Sequence, residues 1–257
     1  MILDTIYNED CLAGMQRIPD GSVDAVICDL PYGVLNRSNP DAQWDKPLPL
    51  EPLWAQLLRV TKESGAICLF GQGMFTARLM MSQPKIWRYN LVWDKMRTSG
   101  HLNANRLPLR CHEDIAVFYR KQPTYHPQMT IGKPSHPHGK GEHKQTNSCY
   151  GRHAIGRDSE QCTRRPEEKF PTSIICIPKE HEAVVYHPTQ KAVDLIRWLI
   201  RTYTDEGGVI LDPCMGSGST ALAALREKRH YVGFEISQKY FSAAQERIHK
   251  EIKLYTL

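Results

Sequence analysis

Leu211-Asp212-Pro213-Cys214-Met215-Gly216-Ser217-Gly218-Ser219-Thr220 is the stretch whose reading decides the fold. Upstream, Gly208-Val209-Ile210-Leu211 is a short apolar run behind two glycines and reads as a buried strand, while residues 219–228 form an Ala/Leu-rich helical segment. A strand running through a glycine turn into a helix aims the helix N-terminus and several backbone N–H groups at one spot. Glycine there lets a ligand approach without a Cβ in the way. Further on, Tyr231-Val232-Gly233-Phe234-Glu235 gives a second strand ending in a carboxylate, about twenty residues after the loop, where folds of this kind hold the hydroxyls of a ribose. The expected ligand therefore carries a nucleoside.

Gly216-Ser217-Gly218-Ser219-Thr220-Ala221 also satisfies the dinucleotide fingerprint, so an NAD(P)-binding Rossmann enzyme is one reading of the loop alone. Asp212-Pro213 argues against it. A carboxylate at the strand end repels a pyrophosphate but suits the cationic amino-acid end of S-adenosylmethionine. With these residues the chain resembles the amino-methyltransferases of DNA, whose cofactor loop reads Asp-Pro-Phe-x-Gly-Ser-Gly-Thr-Thr; here Cys214 replaces the Phe and Ser219 the first Thr. The resemblance implies S-adenosylmethionine as cofactor, with contacts from Asp212, Pro213, Gly216, Ser217, Gly218, Thr220 and Glu235. It also implies a Rossmann-like α/β fold, a mostly parallel central sheet with helices on both faces.

At 257 residues and 41% hydrophobic content the chain can bury one full core carrying an insertion. No apolar run approaches the roughly eighteen residues of a bilayer span, and no signal segment opens the sequence, so a soluble cytoplasmic protein, bacterial or phage-encoded, is expected. The net charge of +5 is local. Residues 120–169 hold ten Lys/Arg against five Asp/Glu, and the remainder balances at 23 of each sign. A Gly/Pro/His-rich positive stretch in a neutral frame suits a polyanion-binding insertion, set at about 121–183 within a single domain of 1–257. Lys140, Lys144, Arg152, Arg157, Arg164 and Arg165 are its candidate contacts to phosphates or guanine edges. Its histidines lack paired Cys, so no structural metal is expected.

Val23-Asp24-Ala25-Val26-Ile27-Cys28 reads as a buried strand ending in Asp29-Leu30-Pro31-Tyr32. An aromatic amine is a poor nucleophile because its lone pair is delocalised into the ring. Acceptors for its N–H groups localise that pair, and the Asp29 carboxylate and Leu30 carbonyl are two acceptors on adjacent residues. Pro31 fixes the backbone, and Tyr32 offers a flat face for a flipped base. The tetrapeptide resembles the Asp-Pro-Pro-Tyr signature of adenine-N6 methyltransferases, with Leu30 for the first Pro. By the same resemblance Asp10 contacts the cofactor adenine, although it also suits a helix cap. Asp29 counts among the cofactor neighbours as well. His187-Pro188-Thr189-Gln190-Lys191 resembles the family's His-Pro-Thr-Gln-Lys-Pro segment beside the cofactor methionine, which adds Thr189 and Lys191; Thr189 is also a good N-cap for the helix at 192–203. Trp93-Asp94-Lys95 matches a family segment without a derivable role. Residues 36–49 form a Pro-rich loop beside the proposed site. Pro213-Cys214 is similar to the nucleophile dipeptide of cytosine C5-methyltransferases, but inside the cofactor loop Cys214 reads as a packing residue.

The order of these pieces, catalytic tetrapeptide, basic insertion, then cofactor loop, resembles that of the permuted β group of DNA amino-methyltransferases. It implies adenine-N6 methylation of double-stranded DNA, a restriction-modification setting, and, left open, a homodimer and a cognate restriction endonuclease. Cytosine-N4 methylation, RNA adenine methylation and a non-catalytic nucleic-acid-binding protein remain alternatives.

Overall fold

The computed structural model describes residues 1–33, 45–133, 167–180, 186–187 and 189–255. In chain order the elements are β1 (Thr5–Tyr7), α1 (Cys11–Met15), β2 (Val23–Cys28), α2 (Leu50–Val60), β3 (Thr61–Gly71), α3 (Met74–Ser82), β4 (Trp87–Ser99) and β5 (Arg110–Phe118). Then follow β6 (Thr130–Ile131), β7 (Glu168–Lys169), β8 (Ile174–Cys176), α4 (Val193–Tyr203), β9 (Val209–Asp212), α5 (Ser219–Arg226), β10 (His230–Phe234) and α6 (Gln238–Tyr255).

Eight strands form one sheet in the order β1-β10-β9-β2-β3-β5-β4-β8. All neighbouring pairs are parallel except the two made by β5, which is the single reversed strand. Central strands divide their side chains two ways. Ala25, Ile27, Cys68, Phe70, Ile115 and Val117 pack under α4, α5 and α6. Val26, Cys28, Ile67, Leu69, Ala116 and Phe118 pack under α1, α2 and α3. This period of two in strands buried on both faces is what a sheet covered by two helical layers requires. The expected α/β fold with a mostly parallel sheet is the one observed.

Strand order reverses between β9 and β2: after β9 the chain moves toward β10, and after β2 toward β3. Loops leaving adjacent strands at such a switch point diverge to opposite faces and open a crevice at the carboxyl edge. Both motifs leave the sheet there.

Several elements run past the limits read from apolar runs. β3 begins at Thr61, directly after α2 and ahead of its apolar run Ala66–Phe70, and β4 and β5 extend to Ser99 and back from Arg110 as an exposed antiparallel hairpin. Polar, solvent-facing ends have no apolar signature, so pattern reading stops short of them.

Two compact units are present, Met1–His126 with Thr172–Leu257, and Pro127–Pro171. Within the span expected for the insertion, β8 pairs with β4 in the large sheet and His126 N donates to Thr202 O at 2.8 Å, so both ends belong to the first unit. In the second, β6 pairs antiparallel with β7.

Candidate active site

A cleft of about 1100 Å³ lies at the carboxyl edge of the sheet. Asp29 from the end of β2, Asp212 from β9, Gly216 from the glycine loop and Glu235 after β10 all line it. Asp10 after β1 and Thr189 before α4 join them. The two turns singled out in the sequence, far apart in the chain, therefore face one space. Residues 45–48 of the Pro-rich loop also line it, while 36–44 lie outside the described residues.

The glycine loop is held from below. Asp212, almost fully buried, accepts from Thr220 Oγ1 at 2.6 Å and from Cys214 N at 3.0 Å. Burial pushes its carboxyl up to about 6, against the pull of those hydrogen bonds. Asp212, expected to face the cationic end of the cofactor, lines the cleft while each of its oxygens also braces the loop. Glu235 accepts from Gly216 N at 2.8 Å and Ser237 N at 2.7 Å, and burial raises its pKa. Gly218 sits at φ 80°, where L side chains are strained, and a Cβ there would lie 3.1 Å from the Ala244 Cβ of α6. Ser217 Oγ donates to Gln190 Oε1 at 2.9 Å, and Arg247 Nη1 reaches Ser217 O at 3.1 Å. Pro213 and Thr220 line the cleft as well.

Asp29 heads a buried chain of alternating charge. Lys191 Nζ donates to Asp29 Oδ2 at 2.7 Å and forms an ion pair with Glu113 Oε2 at 3.0 Å; Lys95 Nζ meets Glu113 Oε1 at 3.3 Å. The four side chains are only 8–19% exposed. Tyr32 Oη donates to Asp29 Oδ1 at 2.8 Å, and its ring packs against Phe75 with centroids 4.6 Å apart. Burial raises the Asp29 pKa and Glu113 adds to the rise, while Lys191 and the Tyr32 hydrogen bond oppose it. Burial also pushes Glu113 up, but Lys191 and Lys95 outweigh it and the net shift is downward. For Lys191, burial pulls down and the two carboxylates win, so its pKa is raised. Two carboxylates balance two lysines. Two of the roughly four acceptor positions on the Asp29 carboxylate remain for another donor.

Other readings change with the structure. Thr189 does not cap the helix: α4 starts after Ala192, and Val193 N is taken by the distant Glu180 carboxylate at 2.9 Å. Thr189 Oγ1 instead lies 3.1 Å from His187 Nδ1. That imidazole is shifted down to about 4 by burial and by Lys191 and Lys239, and so is neutral. Lys191, expected beside the cofactor, lines the cleft and pairs with Asp29 and Glu113. Asp10 caps α1, its Oδ1 accepting from Leu12 N and Ala13 N, and also lines the cleft. Leu30 is buried in the core, and Pro31 lines the cleft with Tyr32. Cys214 lies among buried groups. Hydrogen bonding from Cys11 lowers its thiol pKa, but the bond with Cys28 and burial carry it well above the ordinary range, which suits packing and not nucleophilic attack. Lys140, Lys144, Arg152, Arg157, Arg164 and Arg165 lie outside the described residues.

An N6/N4 methyltransferase family model, described as DNA methylase, matches residues 23–246. The chain belongs to that family. The methylase is 27% identical to the type II methyltransferase M.HinfI of Haemophilus influenzae, the match covering 98% of this chain and 69% of the relative. It is also 27% identical to M.BglII of Bacillus subtilis, over 95% and 68%. Among solved structures, the M1.HpyAVI complex with SAM superposes with a TM-score of 0.61 at 21% identity, covering 95% of this chain and 98% of that one. The cytosine-N4-specific PvuII methyltransferase gives 0.66 at 15%, over 98% and 91%. At these identities the structural likeness establishes the fold. For the methylase, Glu113 and Glu180 are the residues that motif reading missed, and Lys95, in the segment without a derivable role, proves to pair with Glu113. The polar run His112-Glu113-Asp114 at the start of an otherwise apolar strand was the available signal for the first.

Proposed function

We propose that this methylase transfers a methyl group from S-adenosylmethionine to the N6 amine of an adenine flipped out of double-stranded DNA. The observation that carries the reading is the buried Asp29 carboxylate, oriented by Tyr32 and Lys191, facing the same cleft as the glycine loop.

The residues present fit the donor. Gly216 at φ 54° has no neighbour within 3.8 Å of where a Cβ would stand, the carboxylates of Asp10 and Glu235 line the space, and the α5 N-terminus borders it. Glu235 and Asp10 would hold the nucleoside end. Ser217 and Thr220, fixed by Gln190 and Asp212, would keep the loop in shape around the amino-acid end. The cleft exceeds the roughly 300–1,000 Å³ of a site for one small ligand, which leaves room for a base as well. When bound, the sulfonium supplies an electrophilic methyl group.

The chain's own part is to position and polarise the amine. Asp29 accepts one N–H and the Leu30 carbonyl the other, which localises the nitrogen lone pair. Tyr32, backed by Phe75, stacks on the base while its hydroxyl keeps Asp29 turned toward it. Forming the N–C bond would break the S–C bond of the sulfonium, leave a neutral thioether and put the positive charge on the amine. Asp29, whose basicity burial has raised, takes the proton that restores neutrality. The basic insertion would track the duplex. A homodimer and a cognate endonuclease belong to the same proposed restriction-modification setting.

Cytosine-N4 methylation is the second reading, supported by the fold likeness to the PvuII enzyme. Asp29 in the position where that branch more often carries Ser favours adenine. Plasmid DNA from a host expressing the chain, digested to nucleosides and resolved by mass spectrometry, tests the choice. N6-methyladenine is expected; N4-methylcytosine alone would overturn the base assignment, and transfer only to matched RNA would overturn the polymer.

A further inference from the structure

Between β4 and β5 the chain leaves the sheet as a hairpin whose residues 96–109 do not line the cleft. Residues 96–112 contain three arginines, two histidines and no Asp or Glu, although acids number 28 in the 257 residues. Residues 96–108 are all exposed. The tip is a short 3-10 turn, His101–Asn103, entered through Gly100 at φ 88°, and it carries Leu102 at full exposure. A leucine wholly in water at the end of an acid-free cationic arm stabilises nothing in the isolated protein. The arm is tied to the cleft. Arg110 Nη1 donates to Gln72 Oε1 at 2.8 Å, Gln72 Nε2 donates to His112 O at 3.3 Å, and Gln72, Arg110 and His112 all line the cleft mouth.

We propose that the β4–β5 hairpin is a duplex-gripping arm, separate from the basic insertion, in which Arg97 and Arg106 meet backbone phosphates and Leu102 packs against the base stack beside the extruded nucleotide. Charge complementarity selects the occupant, since an arm without acids suits a polyanion, and an apolar tip between cationic flanks is how proteins wedge into duplexes. The inference rests on DNA being the substrate.

Salt dependence of binding to a short mixed-sequence duplex tests it. Each phosphate contact contributes about 0.9 to the slope of log affinity against log salt. Arg97→Ala/Arg106→Ala is expected to flatten that slope by about two while S-adenosylmethionine binding by calorimetry stays at the wild-type value. Leu102→Ser is expected to weaken duplex binding several-fold with the slope unchanged. A wild-type slope and affinity in both variants would overturn the arm and leave the substrate reading intact. Failure of the unmodified methylase to bind duplex at any salt, with cofactor still bound, would overturn both.

Discussion

Replacing Lys191 by Met removes the cation shared by two buried carboxylates, and the structure sets the scale of the loss. With an effective dielectric constant of about 20, separations of 2.7 Å to Asp29 and 3.0 Å to Glu113 correspond to about 6 and about 5.5 kcal/mol of attraction before desolvation. The lysine pays for being buried, and breaking buried pairs by deleting one partner costs about 3–5 kcal/mol net. Lys191→Met is therefore expected to lose about that much stability at neutral pH, because Asp29 and Glu113 then face Lys95 alone. Acid should return part of it. With their counter-charge gone both carboxylates bind protons more tightly folded than unfolded, so the deficit shrinks as pH falls. Adding Glu113→Gln restores charge balance and should make the double variant more stable than Lys191→Met alone. Urea unfolding of the wild type, both single variants and the double, at neutral pH and at about pH 5, reads all three effects. A loss below about 1 kcal/mol, the scale of a surface pair, or a double variant as unstable as the summed singles, would refute this account of the charge chain.

Asp212 gives a second pH test. Its carboxyl is raised from 3.8 to about 6 by burial, so the folded protein holds a proton that the unfolded chain releases in that window, and stability falls by about 3 kcal/mol as pH rises through it. Asp212→Asn keeps the shape without the titration, and the stability of the variant relative to wild type should rise between about pH 4 and 6; a flat difference in urea unfolding would contradict the buried-carboxylate assignment. Gly218→Ala should cost about 1–2 kcal/mol for the left-handed backbone and more for the Ala244 contact. Gly21→Ala, at φ 59° with nothing within 4 Å, should cost the backbone strain alone. Equal losses for the two glycines in thermal unfolding would argue against tight seating of the loop on α6.

The fold was readable where local rules act alone. Gly216 and Gly218 mark a turn that needs positive φ, and the Ile115/Val117 and Ala116/Phe118 alternation announces a strand buried on two faces. Partners chosen by tertiary structure were not readable. Glu113 joins the site because β5 is reversed, which brings its beginning to the edge where the parallel strands end, opposite Trp93 and next to the Asp114–Gly71 pair. Its partner Lys191 lies far along the chain, and no local pattern records that meeting. Glu180 likewise caps α4 from outside any capping motif. The acid-free 96–112 hairpin has a different reason for being illegible: outside residues 120–169 the charges of the chain cancel, so the arm leaves no trace in the net balance.

Single-turnover transfer of labelled methyl from S-adenosylmethionine to duplex DNA by Asp29→Ala, alongside calorimetry of cofactor binding, addresses the shared cleft most directly. The account predicts cofactor affinity close to wild type with transfer slowed by about 10²–10³, the scale for losing one preorganised polar contact. Transfer at the wild-type rate from a folded, cofactor-binding variant would contradict it.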